Sequence, residues 1–182
     1  MLSGNEIYRQ MKKGNIVIEP FDYKNLNPNS YNITLNPKLL VYDCEVLDMK
    51  KPNPTKEIII PEEGYMLETN KIYLGSTNEY TETHKYVACI DGRSSIGRLG
   101  LFIHVTAGFG DVGFKGNWTL EIKATQPIII YPNIPIGQLY YEKVQGKITE
   151  YSGRYMDQRS ARESRLYQDY VKPQPKDQGP EM

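Results

Sequence analysis

Nine short runs rich in β-branched and aromatic residues fill most of the chain between residues 31 and 144, separated by Gly, Pro or Asn turns. They are YNITL (31–35), KEIII (56–60), YMLET (65–69), KIYLGS (71–76), KYVACI (85–90), LGLFIHV (99–105), NWTLEIK (117–123), PIIIY (127–131) and IGQLYYEKV (136–144). Runs of this length and composition fit a pleated, half-buried surface. Their spacing predicts an all-β barrel or sandwich rather than alternating βα units. One short helix should precede them. Ser3 and Glu6 form a capping box, Leu2 and Ile7 hold staple positions, and Gly14 supplies a stop near Lys13.

At 182 residues the chain has length for one domain with a core and too little for two. Lys+Arg and Asp+Glu both number 22, so no basic excess announces a nucleic-acid partner. No run of 18 apolar residues predicts a membrane helix, and the opening MLSGNEIYRQMKKGN has no apolar signal core. A cytoplasmic location with no membrane partner is therefore expected. The only cysteines are Cys44 and Cys89 and the only histidines His84 and His104. That set lacks the His-x-Glu and Pro-Cys-x-x-Cys elements with which zinc nucleobase deaminases hold a metal-activated hydroxide. A disulfide framework is not expected either. The polar, Pro-rich tail (171–182) is expected to be disordered.

The loop Asp91–Leu101 concentrates chemistry. Arg93, Arg98, Ser94 and Ser95 share it with Gly92 and Gly97, which suits a polyphosphate: guanidinium forks grip phosphate oxygens while hydroxyls and backbone N–H groups fill the gaps. The Walker pattern is absent. In NWTLEIK, strand alternation sends Trp118, Leu120 and Ile122 to one face and Thr119, Glu121 and Lys123 to the other. An arbitrary strand glutamate of this kind faces solvent. Beside a phosphate-bound substrate, Glu121 reads better as a proton carrier. The apolar run after Arg98 suggests a buried neighbourhood in which that charge needs a partner. His104, inside LFIHVTA, reads as a hydrogen-bonded core residue rather than a catalyst.

GRSSIGRLGL (92–101), HVTAGFGDVGFKG (104–116), TLEI (119–122), IGQL (136–139) and Tyr-x-Gly-Arg-Tyr-x-x-Gln (151–158) occur in this order, after LSGNEI near residue 2 and IEPFDYKNLNPNSYNITL from Ile18. Together they resemble the dCTP deaminase family, a branch of the trimeric dUTPase superfamily. The resemblance implies a dUTPase-like β-clip or distorted barrel, with one catalytic domain over 1–170. Residues 151–170 would form an arm closing over bound nucleotide. It further implies a homotrimer with sites at subunit interfaces and Mg²⁺ carried by the triphosphate, with no zinc.

By the same resemblance Glu121 shuttles protons, Ser94 and Arg98 orient the water, and the Ala107 carbonyl helps to position it. Nucleotide contacts would come from Arg93, Ser94, Ser95, Ile96, Gly97, Arg98, Asp111, Thr119, Leu120, Glu121, Gln138, Tyr151, Arg154 and Gln158. Asp111 would reach the 3′-hydroxyl, with Phe114 near the sugar. Gly110 and Val112 depart from the Ile and Pro that relatives often carry beside that Asp. Relatives that stop at dUTP tend to have His after the Ala of HVTA. Those that continue to dUMP tend to have Gly followed by Phe or Trp, as Gly108-Phe109 here, where a small residue would leave space for a second water. The expected activity is deamination of dCTP to dUTP and ammonia, then hydrolysis to dUMP and diphosphate. A deaminase that releases dUTP, a dUTPase without deaminase activity and a non-catalytic nucleotide-binding protein are the alternatives.

Overall fold

The computed structural model describes residues 1–171, so the tail expected to be disordered lies outside the described residues except for Val171. Ser3 caps the first helix through a hydrogen bond from Glu6 N–H to its hydroxyl (3.3 Å), and α1 runs Gly4–Lys12. Leu2 and Ile7 are buried, as staple positions require.

Twelve strands follow: β1 (Ile16–Glu19), β2 (Tyr31–Thr34), β3 (Lys38–Tyr42), β4 (Thr55–Ile59), β5 (Tyr65–Leu67), β6 (Tyr73–Thr83), β7 (Tyr86–Gly92), β8 (Leu101–Phe102), β9 (Phe109–Gly110), β10 (Lys115–Ala124), β11 (Ile128–Ile130) and β12 (Pro135–Lys143). A short helix α2 (Ser94–Gly97) joins β7 to β8, and α3 (Gln168–Val171) ends the described chain. The fold is mainly β, as the punctuated runs predict.

One sheet has the order β4-β3-β6-β10-β8, with β1 also paired to β6; a second has the order β2-β12-β7-β9, and β11-β5 form a separate pair. All these pairings are antiparallel. Tyr31, Ile33, Ile90, Leu139 and Tyr141 from the second sheet join Ile16, Leu39, Tyr73, Leu120 and Ile122 from the first in one buried cluster. Strand alternation on β10 is as expected: Trp118, Leu120 and Ile122 are buried, while Thr119 and Glu121 are half-buried and Lys123 is exposed.

Three departures from the sequence reading have local causes. β6 continues seven residues past Ser76, through TNEYTET, because its polar side chains find partners inside the fold. Asn78 donates to Leu35 O and Asn133 Oδ1, and Glu79 accepts from Thr34. LGLFIHV shrinks to Leu101–Phe102, since Leu99 and Gly100 complete the α2 turn and Val105 is drawn off by a side-chain bond described below. β1 (IVIE) and β3 (KLLVY) are apolar but only four and five residues long, and β9 is a two-residue strand.

Glu79 is 2 % exposed, with Thr34 donating both its N–H (2.9 Å) and its hydroxyl (2.8 Å) to the carboxylate. Burial nevertheless pushes its pKa above the ordinary carboxylate value. A folded pKa above the unfolded one means that the folded state holds this proton more tightly. The stability from that proton is complete below the unfolded pKa and is lost as pH rises through the folded one. Glu79→Gln should therefore flatten the fall in melting temperature with rising pH across that window. Melting temperatures that track the wild type at every pH would contradict this.

Candidate active site

β10 carries the centre of the site because its pairing with β6 is bulged. The register shifts between Asn117 and Thr119. Asn117 Nδ2 donates to the carbonyls of Thr77 (2.9 Å) and Asn78 (3.2 Å), and Trp118 N–H donates to Thr77 Oγ1 (3.0 Å). Buried side chains thus replace the missing ladder bonds. Beyond the bulge, Thr119 and Glu121 face a cavity of about 590 Å³, within the range usual for small-molecule sites.

Glu121 is pinned by one oxygen. Val105 N–H donates to Oε2 at 2.9 Å, whereas Oε1 has no hydrogen bond among the described residues. That bond also shapes the loop after β8, placing Ala107 on the cavity wall with Phe109, Gly110 and Asp111. Asp111 is exposed and its carbonyl accepts from Phe114 N–H (3.1 Å) in a tight turn. Gly110 has a steric reason: a Cβ there would stand 2.6 Å from the Trp118 ring. The Ile that relatives carry cannot be accommodated against this tryptophan position without a shift.

The C-terminal arm forms the opposite wall. Gln158 is 4 % exposed and donates to Asn117 O (2.6 Å) and Thr119 Oγ1 (3.2 Å); its Oε1 is buried and has no partner. Tyr151 N–H donates to Val112 O (2.7 Å), and its ring centroid lies 6.1 Å from that of Phe114. The arm then reaches β3, where Ser164 N–H donates to Tyr42 Oη (3.2 Å). Tyr155, Arg162, Glu163 and Ser164 complete this side.

Of the residues singled out from sequence, Ala107, Asp111, Thr119, Glu121, Tyr151 and Gln158 line one cavity. Phe109, Gly110 and Phe114 line it too, whereas the α2 residues, Gln138, Leu120 and Arg154 do not. Arg93, Ser94, Ser95, Ile96, Gly97 and Arg98 lie on or beside α2, where Arg93 donates to Pro135 O (3.0 Å). Arg98 is exposed, not buried as the following apolar run suggests, and Leu99 and Phe102 are exposed with it. Gln138 accepts from Ser30 Oγ (2.8 Å) and donates to Gly92 O (3.1 Å) at the same end of the second sheet. The Leu120 side chain is wholly in the core. Arg154 is engaged within the arm by Asp169 and by Arg165 O (2.9 Å).

Two further expectations change. Gly108 does not open onto the cavity: a Cβ there would meet the His104 ring and Ile90 O at 3.3 Å. The space beside it is taken by the His104 ring. His104 itself is only partly enclosed, with Nε2 3.7 Å from Asp91 Oδ1 and Nδ1 buried without a partner. Sequence reasoning missed Tyr42, on an unrecognised strand, and Trp118, which alternation assigns to the core although it also faces the cavity. Arg162 and Glu163 carried no motif, and no local signal could have found them.

Comparison with known proteins follows the same outline. A family model described as dCTP deaminase-like matches residues 1–144. A protein of Clostridium acetobutylicum named "dCTP deaminase, dUMP-forming" is 60% identical over 172 residues, covering 94% of this chain and 99% of that one. Proteins of the same name from Clostridium beijerinckii and Cytophaga hutchinsonii are each 57% identical over 173 residues, with the same coverage. The crystal structure of 2′-deoxycytidine 5′-triphosphate deaminase from Agrobacterium tumefaciens superposes with a TM-score of 0.63 at 20% identity. It covers 79% of this chain and 48% of that one, a likeness of fold.

The arm depends on Gly116, whose φ is +146° and whose added Cβ would stand 2.8 Å from Gln158 O. Gly116→Ala should push the arm off β10, at a cost of about 1–3 kcal/mol in the docked state. Limited proteolysis should then cut within 151–171 faster than in the wild type. An unchanged cleavage rate would show that the arm is not held there.

Proposed function

The chain belongs to the dCTP deaminase family, and from that premise we propose that it converts dCTP to dUMP, with Glu121 as the proton carrier of the deamination. The observation that carries this reading is the Glu121 carboxylate, fixed through Oε2 by Val105 N–H, with Oε1 unbonded among the described residues, on the wall of a cavity large enough for a nucleoside. Water held between Oε1 and the base gives a proton to Glu121 as its oxygen bonds to C4. The carboxyl then protonates the ring nitrogen, and a second transfer lets the amino group leave as ammonia. Ala107 is on the same wall, and its carbonyl would accept a hydrogen bond from that water. Gln158 Oε1, buried without a partner, suits a donor on the bound base. The dUTP so formed then loses diphosphate to a second water, with Asp111 near the sugar.

The site works as an interface in this reading. Its carboxylates lie on β10, the β9–β10 turn and the arm, while Ser94 and Arg98 stand exposed at α2, near exposed Leu99, Phe102 and Val105. A neighbouring copy in a homotrimer would cover that apolar patch and bring Ser94 and Arg98 to Glu121. Arg93 and Ser95 would then meet the phosphates. Among the described residues no three His, Cys, Asp or Glu side chains are grouped to hold a metal ion. Mg²⁺ would ride on the triphosphate with its own waters and neutralise phosphate charge, which needs no dedicated protein cage. Zinc has no part in this reading, since the chain lacks the His-x-Glu and Pro-Cys-x-x-Cys elements. The work belongs in the cytoplasm, with the nucleotide pool.

Glu121→Gln keeps size and hydrogen bonding but removes the proton shuttle, and ammonia release should fall by ~10²–10⁴-fold or more. A single turnover of wild-type enzyme with dCTP and Mg²⁺ should yield dUMP and diphosphate with little free dUTP. Near-normal ammonia release by the variant, or quantitative escape of dUTP from the wild type, would defeat the corresponding half of the reading. Light scattering should give three copies of the chain; an active monomer would remove the interface.

A further inference from the structure

Arg162 is the sole cation among the residues lining the cavity, whose other charged walls are Asp111, Glu121 and Glu163. Its backbone is anchored: Arg162 N–H donates to Thr119 Oγ1 at 3.2 Å, one strand repeat from Glu121 on the same face. Buried Gln158 and Ala161 precede it and hold the arm down. Its guanidinium, by contrast, takes part in no hydrogen bond or ion pair among the described residues, although the side chain is half-buried. The arginines at 154 and 159 are occupied elsewhere, by Asp169 and by the Tyr80 ring.

A half-buried guanidinium without a partner has lost part of its hydration and gained nothing in return. An anionic ligand oxygen restores that balance, and the planar fork favours a phosphate. With the base at Glu121, the anionic group nearest to it is the phosphate on the 5′-carbon. The β- and γ-phosphates lie farther out, where the α2 arginines of a neighbour would meet them.

We propose that Arg162 holds the α-phosphate and stabilises the charge that gathers there in the second reaction, an inference resting on the bifunctional reading above. Water oxygen bonds to the α-phosphorus and the bond from phosphorus to the bridging oxygen breaks. Diphosphate leaves with the electron pair, and the water's proton passes to the Asp111 carboxylate. The guanidinium faces the non-bridging oxygens, whose charge it balances best in the transition state.

Wild type, Arg162→Ala and Arg162→Lys are compared in single turnovers with dCTP and Mg²⁺, following ammonia, dUTP and dUMP. In Arg162→Ala, dUMP formation should fall about 100-fold more than ammonia release, the usual scale for losing one transition-state donor. Accumulated dUTP should appear, and Arg162→Lys should recover part of the loss because charge remains while the fork does not. Calorimetry with dUMP and with deoxyuridine tests the contact itself: Arg162→Ala should weaken dUMP at least tenfold more than deoxyuridine. Equal weakening of both ligands, or an unchanged ratio of dUMP to dUTP in the variant, overturns the proposal. A wild type that releases dUTP intact while the dUMP-selective loss persists would sink the bifunctional reading and leave the phosphate contact standing.

Discussion

The bulged pairing of β6 with β10 is the constraint on which the rest of the site depends. Asn117 directs its side-chain amide to the carbonyls of Thr77 and Asn78, and Thr77 Oγ1 accepts from Trp118 N–H, so the stretch of β6 bulged opposite Trp118 finds partners on β10. Past that point Thr119 and Glu121 face the cavity while Leu120 and Ile122 stay in the core. The same bulge receives the arm. Gln158 bonds to Asn117 O and Thr119 Oγ1, and Gly116 permits the close approach of its backbone. One irregularity thus sets the direction of the carboxylate and seats its cover.

Charge divides along the same line. Three carboxylates and one guanidinium line the cavity, whereas Arg98 stands exposed on α2 and Arg93 is tied to the Pro135 carbonyl. The carboxylates outnumber the guanidinium, so like charge on the wall opposes a triphosphate unless further cations meet it. In the proposed trimer the cationic loop of a neighbouring copy would supply them.

The loop between β8 and β10 shows how few contacts tune such a site. Val105 N–H holds Glu121, Gly108 packs against His104, and Gly110 packs against Trp118. The smallness of Gly108 and Gly110 serves ring packing within the loop. That steric reason is independent of which reaction follows deamination.

The sequence alone determined the mainly β class, the helix capped by Ser3 and the two faces of β10, because each follows from local periodicity and hydrogen-bonding chemistry that a few neighbouring residues settle. It also marked Glu121, Asp111 and Gln158 through family resemblance, and these three do meet in one cavity. Tertiary structure decided what depends on distant partners. The full length of β6 rests on Thr34 and Asn133 satisfying buried polar groups, which no local pattern reveals. Arg162 joins the cavity only because the arm crosses β10 more than forty residues away in sequence. Arg98 likewise stands exposed because it ends the α2 turn ahead of β8, where only Leu101 and Ile103 turn into the core and Phe102 faces outward. Side-chain type predicts what a residue prefers; whether a partner stands opposite is settled only when the chain closes on itself.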